Sequence, residues 1–364
     1  MGILQEGQNI KDTYEVEKFL GEGAFAEVFR VKHRFLGRQA MKVFKTVGMT
    51  LFDIEEALGE AIMLSQIGHP NIVRVFDANI TETDSGLHGY FTMENVPGGS
   101  LENFWRSHDN GFVPIDTTID LIKQVCRGLS VAHKEEPPVV HRDIKPQNIL
   151  VGYENDGLRA RISDFGLAKQ VNPLTMLATA AGTIGFKPPE VFSEDKQDSC
   201  AADVWAVGAT LYLLLTDRLP YDVPEGLGWG NTNIHDDPIH PPSEFNADSN
   251  KELDRIVAKS LILDPSKRYQ NAMEMLADLE HWKPGKSHKS QFIFTEFSKE
   301  ILGPAQTSRN QELGEQMAED SMKLSKQGKL NEAADLMEEA FNKLPDLRDK
   351  HSNRVRLWRC GISM

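Results

Sequence analysis

The stretch HRDIKPQNIL, residues 141–150, gathers two cations, a carboxylate, a proline and two amides and then turns abruptly apolar. A soluble chain has little reason to place such a cluster against a hydrophobic strand unless the cluster is held rigid for chemistry. Its meaning depends on what the rest of the chain supplies. At 40% hydrophobic content, 364 residues suffice for one large core, or two lobes and an extra module. A formal charge of −14 argues against a nucleic-acid or anionic-membrane surface. Cys126, Cys200 and Cys360 are odd in number and lack CxxC spacing, so neither a disulfide framework nor a zinc site is expected, and a reducing cytoplasm fits best.

The run VWAVGATLYLLL, 204–215, is shorter than the roughly 20 residues a membrane span needs and reads as a buried core helix. The opening MGILQEG lacks the blocks of a signal peptide and carries Glu6 where a myristoylation pattern wants Ser or Thr. Cys360, followed by four residues, does not fit a prenylation site, and no lipid anchor is expected.

Upstream, FLGEGAFAEVFRVKH reads as strand, glycine turn, strand, because Phe19, Val28, Phe29 and Val31 are β-formers around Gly21 and Gly23. Such a turn is either a plain hairpin or a loop whose backbone N–H groups approach phosphate oxygens. RQAMKVF forms a third strand carrying Lys42, either on a solvated face or, if the following helix packs on the sheet, against Glu60. That helix is read from the apolar spacing of Ile54, Leu58, Ile62 and Ile67. HPNIVRVFD and HGYFTMENV supply two more strands, and Pro97-Gly98-Gly99 reads as a hinge, giving a small lobe of five strands and one helix.

Taken in order, the glycine turn, strand lysine, helix glutamate, hinge, HRDIKPQN, DFG at 164–166, GTIGFKPPE at 182–190, DVWAVG at 203–208 and late Arg268 resemble the eukaryotic-type serine/threonine protein kinases, over about residues 14–283. The resemblance implies an α+β bilobal fold: residues 1–95 a β-rich N-lobe and 96–283 a mainly helical C-lobe. It implies ATP and Mg2+, with Mn2+ as a substitute ion, and protein substrates. By resemblance Asp143 orients the acceptor hydroxyl, Lys145 lies beside the transferred phosphoryl, Asn148 and Asp164 ligate the metal, and Lys42, paired with Glu60, holds the phosphates. Leu20, Gly21, Glu22, Gly23, Ala24, Phe25, Ala26 and Val28 would form the nucleotide loop. Ala40, Met93, Glu94, Val96 and Leu150 would enclose the adenine. His141, Phe165, Leu64 and Val75 would form a packed column between lobes.

Phosphoryl transfer asks for positioned charge rather than covalent help from protein, which is why these residues must cluster. Lys145, two residues after the aspartate, is the serine/threonine signature. Departures from the pattern are Ala26 for the third glycine and Pro188-Pro189-Glu190 for APE, where the preceding aromatic is Phe186, with a Glu190–Arg268 ion pair still expected. Arg142 is placed to clamp a phosphate, Thr179 is the first candidate for activating phosphorylation with Thr175 behind it, and Thr183 is expected on Asp143 and Lys145. Two rival functions are a catalytically dead scaffold and a small-molecule phosphotransferase. Ser100 and Gln147 stand where acids would enforce an arginine requirement in substrates.

Residues 284–312 read as a linker or docking segment, with QFIFTEF placed to dock on the large lobe. Residues 313–364 read as a helical tail resembling one tetratricopeptide repeat, from Gly328, Ala333, Ala340 and Pro345. Its stripe, Leu330 to Leu344, needs cover from a third helix carrying Leu347, Val355 and Trp358, from the kinase lobe, from a second copy or from a partner. A free-standing tail is the least expected outcome, and docking or self-association the expected role.

Overall fold

The computed structural model describes residues 2–23, 25–108, 112–154, 157–165, 184–192, 199–221, 239–284 and 304–344, together with Leu347, Lys350, His351, Arg354, Val355 and Trp358. It divides into two compact units, Met1–Val96 with Val113–Gly285, and Pro97–Phe112 with Lys286–Met364.

The first unit opens with an antiparallel sheet of six strands: β1 (Asn9–Ile10), β2 (Tyr14–Glu22), β3 (Ala26–His33), β4 (Gly37–Val47), β5 (Val75–Thr83) and β6 (Gly86–Glu94), in the order β1-β2-β3-β4-β6-β5. Two corrections to the five-strand reading follow. The N-terminal residues add a short sixth strand, with Leu4 and Ile10 buried against Tyr14, Val31 and Met41. The fourth anticipated strand starts at Val75 rather than His69, because Ile72 and Val73 are used elsewhere. Val73 N donates to Ile162 O and Ile162 N to Asn71 O, both at 2.9 Å, so this stretch is stitched to the second lobe.

Helix α1 (Leu51–Ile67) packs on β5 and β6. A reciprocal cap starts it: Asp53 N donates to Thr50 Oγ1 at 3.2 Å and Thr50 N to Asp53 Oδ2 at 2.8 Å. Gly68, at φ 70°, ends it.

The larger lobe is helical around one β-hairpin, β7 (Ile149–Glu154) and β8 (Gly157–Ile162). Within the second unit, α2 (Leu101–Arg106) is capped by Ser100. In the first unit, α3 (Ile115–His133) packs against β8, α4 (Cys200–Thr216) and α6 (Ala272–His281), and α5 (Lys251–Ser260) packs on α4. Helix α4 contains the anticipated apolar run, and Ala201 through Thr216 are buried. Gly128 of α3 is required by close approach: a Cβ there would lie 2.8 Å from Asn71 O. Asn71 Nδ2 also donates to Ala160 O at 2.8 Å and to Gln124 Oε1 at 3.1 Å, satisfying its buried amide.

Beyond residue 303, α7 (Pro304–Lys326) and α8 (Leu330–Lys343) form an antiparallel pair turned at Gly328, φ 78°. Ala333, Met337, Ala340 and Phe341 are buried in one apolar cluster with Leu347, Val355 and Trp358. Of the four covers anticipated for the stripe, the structure therefore shows the first: Leu347, Val355 and Trp358 from the last segment pack on it. Pro345, Cys360 and the QFIFTEF segment lie outside the described residues. Among the described residues, no helix is long and apolar enough to cross a membrane.

Candidate active site

The loop preceding β7 is fixed by a buried carboxylate distant in sequence. Asp203, on α4, accepts from His141 N at 2.7 Å, Arg142 N at 2.9 Å and His133 Nε2 at 3.0 Å. Burial pushes its carboxyl up, but the His133 hydrogen bond and the His141 side outweigh this and hold it below the usual carboxylate range. The two backbone bonds also hold Arg142 at φ 69°, a left-handed conformation that a β-carbon disfavours. The ring of His141 bonds Ser163 O through Nε2 at 2.8 Å and accepts from Asp143 N through Nδ1 at 3.2 Å. It meets Phe165 edge-on, with ring centroids 4.5 Å apart. Leu64 is buried and Val75 partly so.

Asp143 sits at the end of this scaffold with its two oxygens differently committed. Lys145 Nζ lies 2.8 Å from Oδ2, and Asn148 Nδ2 donates to the same oxygen at 2.9 Å and to Asp143 O at 2.8 Å. Lys187 Nζ faces Oδ1 at 3.6 Å. Burial raises the Asp143 carboxyl, while Lys145 first and Lys187 next pull it below its ordinary value, so the carboxylate is kept ionised.

One strand away, Asp164 Oδ1 is bonded by Lys42 Nζ at 2.7 Å, joining the smaller lobe to the larger. Asp164 takes φ 66°, and the Ser163 beside it bonds Asn148 O through its backbone N–H at 2.9 Å and its hydroxyl at 3.0 Å. The carboxylate of Asp164 and the amide of Asn148 are thereby held by the same stretch of backbone. The Glu60 side chain, the expected partner of Lys42, lies outside the described residues.

Apolar residues line the cleft beside these charges. Ala26, Ala40 and Met93 belong to one buried cluster, with Val28 and Leu150 packed on its edge. Glu94, which ends β6, pairs with Arg161 Nε at 3.1 Å, and Val96 packs against Gly152. The glycine turn is a true β2–β3 hairpin: Gly21 pairs with Val28, Glu22 with Glu27, and Gly23 N donates to Ala26 O at 2.8 Å. Leu20 and Phe25 are exposed along this turn and Glu22 pairs with Lys45; Ala24 lies outside the described residues. Gly21 has open space where a Cβ would stand, which leaves its backbone accessible.

Behind the loop, Arg268 clamps Glu190 with two bonds, Nη1 to Oε1 at 2.6 Å and Nη2 to Oε2 at 2.8 Å, as expected from the sequence. The guanidinium also lies 4.7 Å from the Trp205 ring.

Residues 14–279 match the protein kinase domain family. This chain belongs to that family. It is 31% identical over 295 residues to serine/threonine-protein kinase PknB of Mycolicibacterium smegmatis, covering 79% of this chain and 46% of that protein. It is 30% identical over 299 residues to PknB of Mycobacterium leprae, covering 81% and 47%. The chain thus spans about half the length of the curated relatives it matches. The fold resembles the crystal structure of the Mycobacterium tuberculosis PknI kinase domain, at TM-score 0.56 and 23% identity, over 76% of this chain and 98% of that one.

The kinase-domain pattern thus has a β-rich lobe, a helical lobe, and a cleft in which Lys42, Asp143, Lys145, Asn148 and Asp164 converge. Thr175, Thr179, Thr183 and Gly166 lie outside the described residues. Sequence reasoning passed over three residues. Asp203 was visible only as part of DVWAVG, without its loop-holding role. Arg161 looked like an ordinary strand cation. Lys187 left a signal, being the only charge between Gly182 and Pro189.

Proposed function

We propose that the chain is a serine/threonine protein kinase that transfers the γ-phosphoryl of ATP to hydroxyls of protein substrates. The observation that carries this reading is the unequal treatment of Asp143. Its Oδ2 is committed to Lys145 and Asn148, whereas among the described residues Oδ1 has only an ammonium at ion-pair distance. An ionised carboxylate with one oxygen available orients a serine or threonine hydroxyl by accepting its proton in a hydrogen bond.

Asn148 and Asp164 fit a hard divalent cation. Both offer oxygen, and because Asn148 turns its Nδ2 toward Asp143, its Oδ1 is left for a metal. Mg2+, or Mn2+ in its place, would neutralise phosphate charge there. Lys42 is a phosphate-holding cation already seated beside Asp164, and Lys145 sits where charge passes between donor and acceptor. Ala40, Val28, Met93 and Leu150 form an apolar slot for the adenine, with the backbone of Glu94 to Val96 at its edge and the residues from Leu20 to Ala26, Ala24 included, as the phosphate loop. Glu60 is the partner proposed for Lys42.

The test is transfer of labelled phosphate from ATP to protein acceptors, with Asp143→Asn as control. Equal incorporation by both proteins would end this reading. A scaffold would label nothing, and a small-molecule phosphotransferase would label added metabolites but no protein.

Regulation follows from the same reading. Arg142 stands beside Asp143 as the phosphate clamp, and Thr179, Thr175 and Thr183 are the candidate sites, Thr183 also as a hydrogen-bond partner of Asp143 and Lys145. Mass spectrometry of the active protein against Asp143→Asn tests self-activation. Substrates need no upstream arginine: Ser100 and Gln147 are neutral, and Glu102 is engaged by Arg106 at 2.9 Å. Cys126, Cys200 and Cys360, odd in number and without CxxC spacing, suit a reducing compartment, and we place the protein in the cytoplasm. The tail, one tetratricopeptide-like hairpin whose first helix begins at Pro304, inside the segment 284–312 expected as linker, is proposed to dock protein partners or a second copy through its polar faces. Truncation after Trp282 tests this by its effect on partners and oligomeric state.

A further inference from the structure

We propose that Lys187 determines acceptor specificity, selecting peptides that carry an anionic group beside the target hydroxyl; this rests on the kinase reading above. Lys187 is 8% exposed, an unusual place for a lysine, and its ammonium lies 3.6 Å from Asp143 Oδ1 and 3.5 Å from Arg142 O. Its backbone is confined on both sides. Phe186 before it is buried, Pro188 and Pro189 after it fix the chain, and Glu190 is locked to Arg268. The ammonium is therefore delivered to Asp143 by a clamped segment rather than by a swinging surface side chain.

Two ammonium groups converge on the Asp143 carboxylate, but they play different parts. Lys145 holds Oδ2 at hydrogen-bond distance, whereas Lys187 stands off from Oδ1 at a distance that is ionic only. An acceptor hydroxyl bonded to Oδ1 at about 2.7 Å must then lie within about 6 Å of the Lys187 ammonium, by addition of the two distances. Neighbouring peptide residues are about 3.8 Å apart along the chain, so the side chain next to the acceptor reaches the same ammonium. When the hydroxyl occupies Oδ1, the buried charge of Lys187 loses part of its compensation. A carboxylate or phosphate brought by the peptide restores it, whereas a cation at that point repels it at close range in a partly desolvated setting.

The experiment uses the full-length chain and matched peptides, each with one acceptor threonine, that differ only in the adjacent residue: Asp, phosphoserine, Ala or Lys, placed before or after it. The readout is kcat/KM. On at least one side, the wild type should favour Asp over Lys by about tenfold, an effect of the size that charge complementarity gives specific recognition. K187M should collapse that span to about twofold or less, K187E should invert it, and K187R should keep it. Phosphoserine outperforming Asp would identify a primed peptide as the preferred source of the anion, and the reverse order an acidic one; either supports the assignment. Retention of the wild-type span by K187M overturns it, as does a parallel loss of activity on every peptide, which would mark Lys187 as part of the fold or the chemistry. If the wild type transfers phosphate to no peptide or protein at all, the kinase reading itself falls and takes this inference with it.

Discussion

The loop around Asp143 and the C-terminal helices are both ordered by contacts distant in sequence, yet by opposite physics. The loop is held by buried polar groups: Asp203 bonds two of its backbone N–H groups, His141 bonds back onto Ser163 and Asp143, and Asn148 ties down the Asp143 carboxylate. The helices are held by burying Met337, Phe341, Val355 and Trp358 together. Hydrogen-bonded networks fix atoms in direction as well as distance, and phosphoryl transfer needs that. Apolar packing is non-directional and tolerates replacement by shape, so it supports a platform rather than a reaction centre.

The sharpest way to test the contrast is to remove a charge from the cleft. On the proposed function, Asp164→Ala should lower phosphate transfer by about a thousandfold or more, and Lys42→Ala by a similar order, because Asp164 would hold the metal and Lys42 the phosphates whose charge solvent does not replace. Near-normal turnover in either variant, in the labelled-ATP assay, would show that the Lys42–Asp164 pair is structural only.

Breaking the loop's support comes next. Asp203→Ala strands three donors in a buried site and should cost about 3–5 kcal/mol, read from denaturant unfolding. The pH dependence has a definite sign. Because the folded Asp203 carboxyl lies below its unfolded value, its contribution is full above the unfolded pKa of roughly 3.9 and is lost as pH falls through the folded value. The stability gap between wild type and variant should therefore narrow below about pH 4. A gap that widens toward acid would contradict this account of the network.

In the tail, Trp358→Ala removes the largest side chain of the cluster and should cost about 3 kcal/mol of local stability, seen as faster amide exchange in α7 and α8. Trp358→Phe should recover most of it, whereas no conservative change at Asp203 should do as well. Smallest of all, Gly328→Ala forces a β-carbon into φ 78° and should cost about 1 kcal/mol by the same exchange measurement.

Much of the cleft was legible in the sequence because its residues sit in short, ordered motifs: Lys42, Asp143, Lys145, Asn148 and Asp164 meet where their motifs imply, and Glu190 pairs with Arg268. Helix α1 and the buried α4 were legible too, since period and composition are local properties. The sequence could not show that Ile72 and Val73 leave the sheet for β8, because a short apolar run looks the same in either place. Nor could it choose among the possible covers for the tail stripe. That choice depends on whether Leu347, Val355 and Trp358 fold back, which is a question of three-dimensional closure.

Sequence alone determined the order of chemistry-bearing groups and the apolar periods that bury them, because both are written in residue type and spacing. Only the tertiary structure decided which groups share an oxygen. Asp203 reaches the loop across 62 residues, and Lys187 faces Asp143 across 44. Contacts of that separation depend on how helices and hairpins pack, and no local pattern in the chain encodes the distance between two side chains once packing has turned them toward each other.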